Sequence, residues 1–207
     1  MQDRSIPIAL ETLVKQLGAL PGLGPKSAMR VAMTLLEWPE EKTRGLGRSI
    51  ATLRDTLHLC SCCCGLTQET ICPICSDPGR DTSLLCLVPD WDSMLTLDQG
   101  GFYRGHYFVL GGLLAPLDHV DTASLHTEKL LQRLAGGQVK EIILALGSTS
   151  DAETTTTWLL HLLHSHYPAI PVSRLAQGIP LGSEVKFMDK ETLRQSLAYR
   201  QHLSKGM

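Results

Sequence analysis

Six of the seven cysteines in this 207-residue chain lie between Cys60 and Cys75, and no other feature restricts its folding as much. An odd total and such crowding suit a metal ion better than a framework of disulfides. Two Cys-x-x-Cys knuckles joined by a short loop present four thiolates tetrahedrally, as a structural Zn²⁺ requires. The second knuckle is Cys72-Pro73-Ile74-Cys75. In the first half Cys60, Cys62, Cys63 and Cys64 compete, and only Cys60 and Cys63 have the knuckle separation. Cys60, Cys63, Cys72 and Cys75 are therefore the expected ligands of one structural ion per chain, with Cys62 and Cys64 as spares. Four thiolates leave no open coordination position, so such an ion braces the fold and does not meet a substrate. The plainer alternative, a buried or redox-active cysteine patch, accounts less well for the paired spacing. Cys86, alone on an expected strand, reads as a small buried hydrophobe and not as a nucleophile.

The cysteines separate two textures. Before them, apolar residues recur at helical spacing over 8–17 (Ile8, Leu10, Leu13, Val14, Leu17) and 26–36 (Ala28, Val31, Ala32, Leu35, Leu36). Between these runs stands Leu20-Pro21-Gly22-Leu23-Gly24-Pro25, whose prolines and glycines cannot continue a helix. Pro39 ends the second run, and a third helix is expected over 40–57. After the cysteines, short apolar segments at 83–88, 107–110, 141–146 and 171–175 read as strands. They alternate with helical stretches at 93–99, 124–135 and 153–166, which implies a largely parallel sheet with helices on its faces. A last helix is expected over 190–203. The expected class is α/β with an N-terminal all-α unit: a helical unit at 1–58, a cysteine module at 59–78, an α/β domain at 79–175 and a C-terminal segment at 176–207.

Glycines between two amphipathic helices have a mechanical use. Gly22 and Gly24 let backbone come close to a phosphate, and the second helix turns its N-terminal N–H groups toward the anion. Lys26 and Arg30 are four apart and share a face, where they can neutralise neighbouring phosphates. An ordinary helical hairpin with two solvated cations is the sober alternative; the block 20–26 taken whole favours DNA. A net charge of −2 gives no global attraction to nucleic acid, so binding would be local, sequence-independent and salt-sensitive. No apolar run approaches the roughly 20 residues that span a bilayer, and the N-terminus lacks the pattern of a signal peptide, so a cytoplasmic location is expected.

Taken in order, the hairpin, the four-cysteine site and the α/β domain resemble the bacterial RecR family. The resemblance runs through nearly the whole chain. It is carried by LPGLGPKSAMRVAMTLL (20–36), the two-knuckle block (60–75), YFVLGGLLAPLD (107–118) and SRLAQGIPLGSEVKFMDKETLRQSLAYR (173–200). It implies a Toprim fold, a four-stranded mainly parallel sheet between helices, and a zinc-stabilised, non-catalytic DNA clamp subunit. It implies ring-like tetramers built through the N- and C-terminal regions, and action with RecO, in some contexts RecF, to help RecA replace single-strand-binding protein on gapped DNA. Under it, Lys26 and Arg30 become the DNA contacts beside Gly22 and Gly24, and the stretch after Gly178 becomes a Walker-B-like region.

Toprim enzymes hold Mg²⁺ with a glutamate after the first strand and an acidic pair after a later one, because a hard cation seeks oxygen ligands. Here the first position reads Val88-Pro89-Asp90-Trp91-Asp92, with proline where related RecR sequences carry the glutamate. Asp90 and Asp92 lie close by, and Asp151 and Glu153 follow the later strand, where a second acidic site belongs. A Mg²⁺-dependent phosphodiester-transfer enzyme of nuclease or primase type is thus the rival reading. Pro89 speaks against it and favours a site vestigial for catalysis, either a solvated acidic loop or, as the resemblance alone implies, a surface for a protein partner. A third reading is a scaffold whose hairpin does not touch DNA. His161 and His164 stand one turn apart among Trp158, Leu159, Leu160, Leu162 and Leu163, so they read as exposed-face residues and not as metal ligands. The run 154–157 is expected as the first turn of its helix. Residues 178–182 lack the Gly-Lys-Ser/Thr ending of a nucleotide loop, which argues against ATP hydrolysis.

Overall fold

A computed structural model of the chain describes residues 6–115, 122–176, 178–180 and 182–199. The chain divides into two compact units, Met1–Leu57 and His58–Met207.

The first unit holds three helices: α1 (Ile8–Gly18), α2 (Pro25–Glu37) and α3 (Glu40–Thr56). Prolines punctuate them. Pro25 occupies the first turn of α2, where its missing N–H costs nothing, and Pro39 is the N-cap of α3. Between α1 and α2, Gly22 takes a φ of +78°, a left-handed angle that a side chain resists. Ala28 and Ala32 are the buried residues of α2, and a Cβ added at Gly18 would lie 3.8 Å from that of Ala28. Small side chains at this crossing thus set how closely α1 and α2 approach. By contrast α3 buries nothing, and Leu46, Ile50 and Leu53 stand exposed on it.

The second unit begins with a two-stranded antiparallel hairpin, β1 (His58–Leu59) and β2 (Leu66–Thr67), followed by the single turn α4 (Pro73–Ser76). A four-stranded sheet follows: β3 (Asp81–Val88), β4 (Gly105–Val109), β5 (Glu141–Leu144) and β6 (Val172–Arg174), in the order β4-β3-β5-β6. All its pairings are parallel. The crossovers carry α5 (Trp91–Gln99), α6 (Thr127–Ala135) and α7 (Ser150–His166), and α8 (Lys190–Ala198) closes the described chain. The core contains Leu85 and Leu87 from β3, Tyr107 and Phe108 from β4, and Leu159 and Leu163 from α7, all essentially inaccessible. Central β3 is apolar without alternation over residues 84–88 because helices cover both faces of a parallel sheet. From β3 the chain first runs to one neighbour and then returns to the other side, so a topological switch lies at the carboxyl ends of β3 and β5, where such folds place their sites.

Several boundaries differ from those read off the sequence, each for a local reason. Helix α7 starts at Ser150 and not at residue 153, because the Thr149 hydroxyl accepts a hydrogen bond from the Ala152 N–H at 3.2 Å and caps it. Asp151 and Glu153 thereby fall in the first turn, where carboxylates suit the helix dipole, and residues 154–157 fall in the second. A 3-10 turn over Thr122–Ser124 precedes α6, which starts at Thr127. The expected end of the last helix at 203, and residues 116–118, 177, 181 and 200 of the family-like stretches, lie outside the described residues. Among the described residues no helix is long and apolar enough to cross a membrane.

Thr155 is the polar pin of this unit. It is fully buried on α7; its hydroxyl donates to the Asp151 carbonyl at 2.6 Å and accepts the Leu114 N–H at 2.8 Å. Thr155→Val keeps the shape but orphans a buried N–H. It is expected to lower unfolding free energy by about 1–3 kcal/mol in a urea titration.

Candidate functional site

The β1–β2 hairpin and the start of α4 bring the cysteine sulfurs together. Tight turns, with Cys64 N–H to Cys60 O at 3.0 Å and Cys60 N–H to Gly65 O at 2.8 Å, fold the first knuckle, while Cys72 is the N-cap of α4 and Cys75 lies within it. The Sγ atoms of Cys60, Cys63, Cys72 and Cys75 all lie within 4.8 Å of one another, and Cys63 and Cys72 are 3.6 Å apart. Four sulfurs about 2.3 Å from one ion would stand about 3.8 Å apart, so the quartet has the dimensions of a tetrahedral metal site. Backbone N–H groups of Cys62 and Cys72 donate to Cys60 Sγ at 3.4 and 3.3 Å, and Gly65 N–H donates to Cys63 Sγ at 3.4 Å; such donors favour thiolates. Thiols this close divide charge unequally. Hydrogen bonds from Cys63 and Cys75 hold the Cys72 thiol well below its usual range, while hydrogen bonding to Cys72 pushes Cys63 up and hydrogen bonding to Cys63 pushes Cys75 up. A divalent cation settles that conflict by compensating all four sulfurs at once.

The other cysteines stand apart from this geometry. Cys62 packs half-buried on the outside of the quartet. Cys64, at a φ of 60°, is turned into the core of the α/β domain. Cys86 is buried on β3 and its thiol is pushed up to about 12 by burial, which leaves it inert. Among the described residues, the quartet is the one group of three or more Cys, His, Asp or Glu side chains that converge in this way. The module also protects the sheet: Val109 N–H, on edge strand β4, donates to Cys63 O at 2.8 Å.

In the first unit, Lys26 and Arg30 are both exposed at the start of α2. Gly24 is the N-cap, and Cβ atoms added at Gly22 or Gly24 would meet nothing within 4 Å. The turn is therefore open on its outer side, so a phosphate backbone can reach the first-turn N–H groups of α2, which have no intrahelical acceptor.

The four acidic candidates lie at or near the carboxyl edge of the sheet, in different settings. Asp90 is the N-cap of α5, and its carboxylate accepts the Ser93 N–H at 2.7 Å. Asp92 is exposed in the first turn of that helix. Both border a cleft of about 390 Å³ whose floor includes Ala145 and Leu175. Glu153 borders a larger cleft of about 810 Å³ and is ion-paired with Arg174 at 3.1 Å, a partner that no motif or spacing singles out. Asp151 is partly buried beside it on α7. His161 and His164 are exposed on α7. Asp90→Ala removes a helix cap and is expected to cost about 1 kcal/mol of stability, read as a lower urea midpoint with unchanged slope.

Comparison with known proteins agrees with this arrangement. Residues 10–54 match the helix-hairpin-helix model of RecR, 83–176 a Toprim domain model and 178–201 the C-terminal model of RecR. The chain is 58% identical to the recombination protein RecR of Nitratidesulfovibrio vulgaris over 96% of its own length and 98% of the relative's. It is 54% identical to that of Maridesulfovibrio salexigens, covering 96% of this chain and 99% of the relative. To that of Alcanivorax borkumensis it is 42% identical, over 92% and 94%.

Proposed function

Because this chain belongs to the RecR family of recombination proteins, we propose that it is a DNA-binding clamp subunit of recombinational repair that works by binding and breaks no bond. The observation that carries this reading is the open Gly22–Gly24 turn with Lys26 and Arg30 exposed at the head of α2. An anion placed there meets first-turn N–H groups and two cations, contacts that position a phosphate backbone without reading its sequence. The quartet Cys60, Cys63, Cys72 and Cys75 is the site assigned to one structural Zn²⁺, a reading supported by four thiolates in a closed cluster of tetrahedral dimensions.

The assembly proposed for the chain is supported by apolar side chains that are exposed in each unit. Leu46, Ile50 and Leu53 on α3, and Phe187, Leu197 and Tyr199 in the C-terminal segment, are large exposed apolar residues. Two such faces on one chain suit a ring, here a homotetramer around DNA. The acidic edge of the sheet is the surface offered to protein partners, RecO and in some contexts RecF, during RecA loading on gapped DNA. The setting is the cytoplasm, at the nucleoid during repair. Native mass measured together with DNA titration at low and physiological salt tests this reading. A tetramer that binds DNA in a salt-sensitive way supports it. A protein that binds no DNA at low salt is a scaffold, and one whose Mg²⁺-dependent turnover disappears on changing Asp151 and Glu153 is an enzyme.

A further inference from the structure

A Toprim domain that uses Mg²⁺ must aim several oxygen ligands at one point. The residues of this chain do not fit that demand. At the end of β3 stands Pro89, whose side chain offers no donor, and the Asp90 carboxylate next to it is engaged by the Ser93 N–H at 2.7 Å. Across the edge, Asp151 and Glu153 both lie in the first turn of α7. Residues two apart on a helix do not face each other, and among the described residues these carboxylates converge with no third Asp, Glu, His or Cys side chain on one point.

Glu153 already has a cation. One terminal guanidinium nitrogen of Arg174 donates to its two carboxylate oxygens at 3.1 and 3.2 Å. Arg174 is the last residue of β6 and is paired in register with Leu144, so its side chain starts from the carboxyl edge of the sheet. Its other terminal nitrogen donates to the Tyr199 hydroxyl at 3.3 Å, with the guanidinium carbon 5.8 Å from the ring centre. Tyr199 is the C-cap of α8. A single guanidinium thus gathers a strand end and the ends of two helices.

We propose that Arg174 is the resident cation of this acidic edge: it neutralises Glu153 where a divalent ion would otherwise be sought, and it ties the end of α8 to α7 and β6. Arginine suits the task because its planar fork stays charged and can reach a carboxylate and a phenol together, whereas a lysine ammonium is a single point charge. The position of the C-terminal helix then depends on an internal ion pair and not on Mg²⁺. Lys26, Arg30 and the thiolates play no part in this link, so its failure and that of the DNA-binding reading are distinguishable.

The test uses the full chain with its zinc. Amide exchange over Lys190–Ala198 is followed in the parent, in Arg174→Met, in Glu153→Ala and in the double variant, and Mn²⁺ is titrated by electron paramagnetic resonance into the parent and Glu153→Ala. Each single variant should speed exchange in α8 about fivefold, the scale of a partly exposed ion pair, and the double variant should add little, because one link is lost either way. Mn²⁺ uptake should be the same with and without the Glu153 carboxylate. Uptake by the parent that Glu153→Ala abolishes would overturn the proposal, and so would unchanged exchange in either single variant or full additivity in the double. Glu153 is exposed on a helix, so Glu153→Ala tolerates the change and decides the question alone if Arg174→Met does not fold.

Discussion

Reversing both charges in Lys26→Glu/Arg30→Glu is expected to weaken DNA binding by about two to four orders of magnitude at low salt, because two charge-assisted contacts of about 1.5–3 kcal/mol each are lost. The salt dependence carries a separate signature. Each phosphate neutralised contributes about 0.9 to the slope of log affinity against log salt, so the double variant should lose nearly two from that slope. Both side chains are exposed on α2, and its buried residues are Ala28 and Ala32. Circular dichroism and metal content should therefore stay as in the parent. A loss of affinity without a change of slope would place the phosphate contacts elsewhere. Unchanged affinity would remove the hairpin from the mechanism.

The second large effect concerns the metal. Cys72→Ser should abolish retention of the single zinc and leave residues 58–76 without amide protection. Structural zinc sites contribute about 10–16 kcal/mol in small domains, as much as the whole stability of an ordinary domain, about 5–15 kcal/mol. Cys72 is the centre of the site, with its sulfur 3.6 Å from Cys63 and its N–H on the Cys60 sulfur at 3.3 Å. The damage should reach β4, because the Cys63 carbonyl that accepts the Val109 N–H sits in the same knuckle. An uncovered strand edge invites association between chains, so the variant should aggregate at concentrations the parent tolerates. Cys62→Ser, by contrast, should keep its zinc, since Cys62 stands outside the quartet. Falling pH should release the ion from the parent, as protons compete for the four thiolates.

What could be read from the chain beforehand divides along physical lines. The clustering of Cys60, Cys63, Cys72 and Cys75 was legible because knuckle spacing is a local constraint, and the helices of the first unit because prolines and apolar periodicity mark them. Cys64 could not be told from a spare ligand, because its fate depends on a left-handed backbone angle that turns it into the core. The start of α7 was misplaced because Ser148, Thr149 and Ser150 are all competent caps and only the folded turn selects Thr149. The pairing of Glu153 with Arg174 joins residues from two elements that meet only when β6 docks beside β5. Likewise His106 gives no signal in sequence. In the fold it is buried, with Arg133 donating to its Nδ1 at 2.6 Å, and burial together with the Arg133 and Arg80 charges lowers its pKa. Long-range electrostatics of this kind belongs to the packed structure, whereas patterning and metal spacing belong to the chain.

A zinc-braced protein that grips DNA without altering it is the function proposed for this chain, and one sample can test both halves. Zinc-loaded protein is titrated into end-labelled gapped DNA in Mg²⁺, with anisotropy followed at two salt concentrations and strand integrity read afterwards on a denaturing gel. Saturable binding that weakens as salt rises, with every strand intact, is the expected result. Strands cut or joined in proportion to protein, or no rise in anisotropy at low salt, would contradict it.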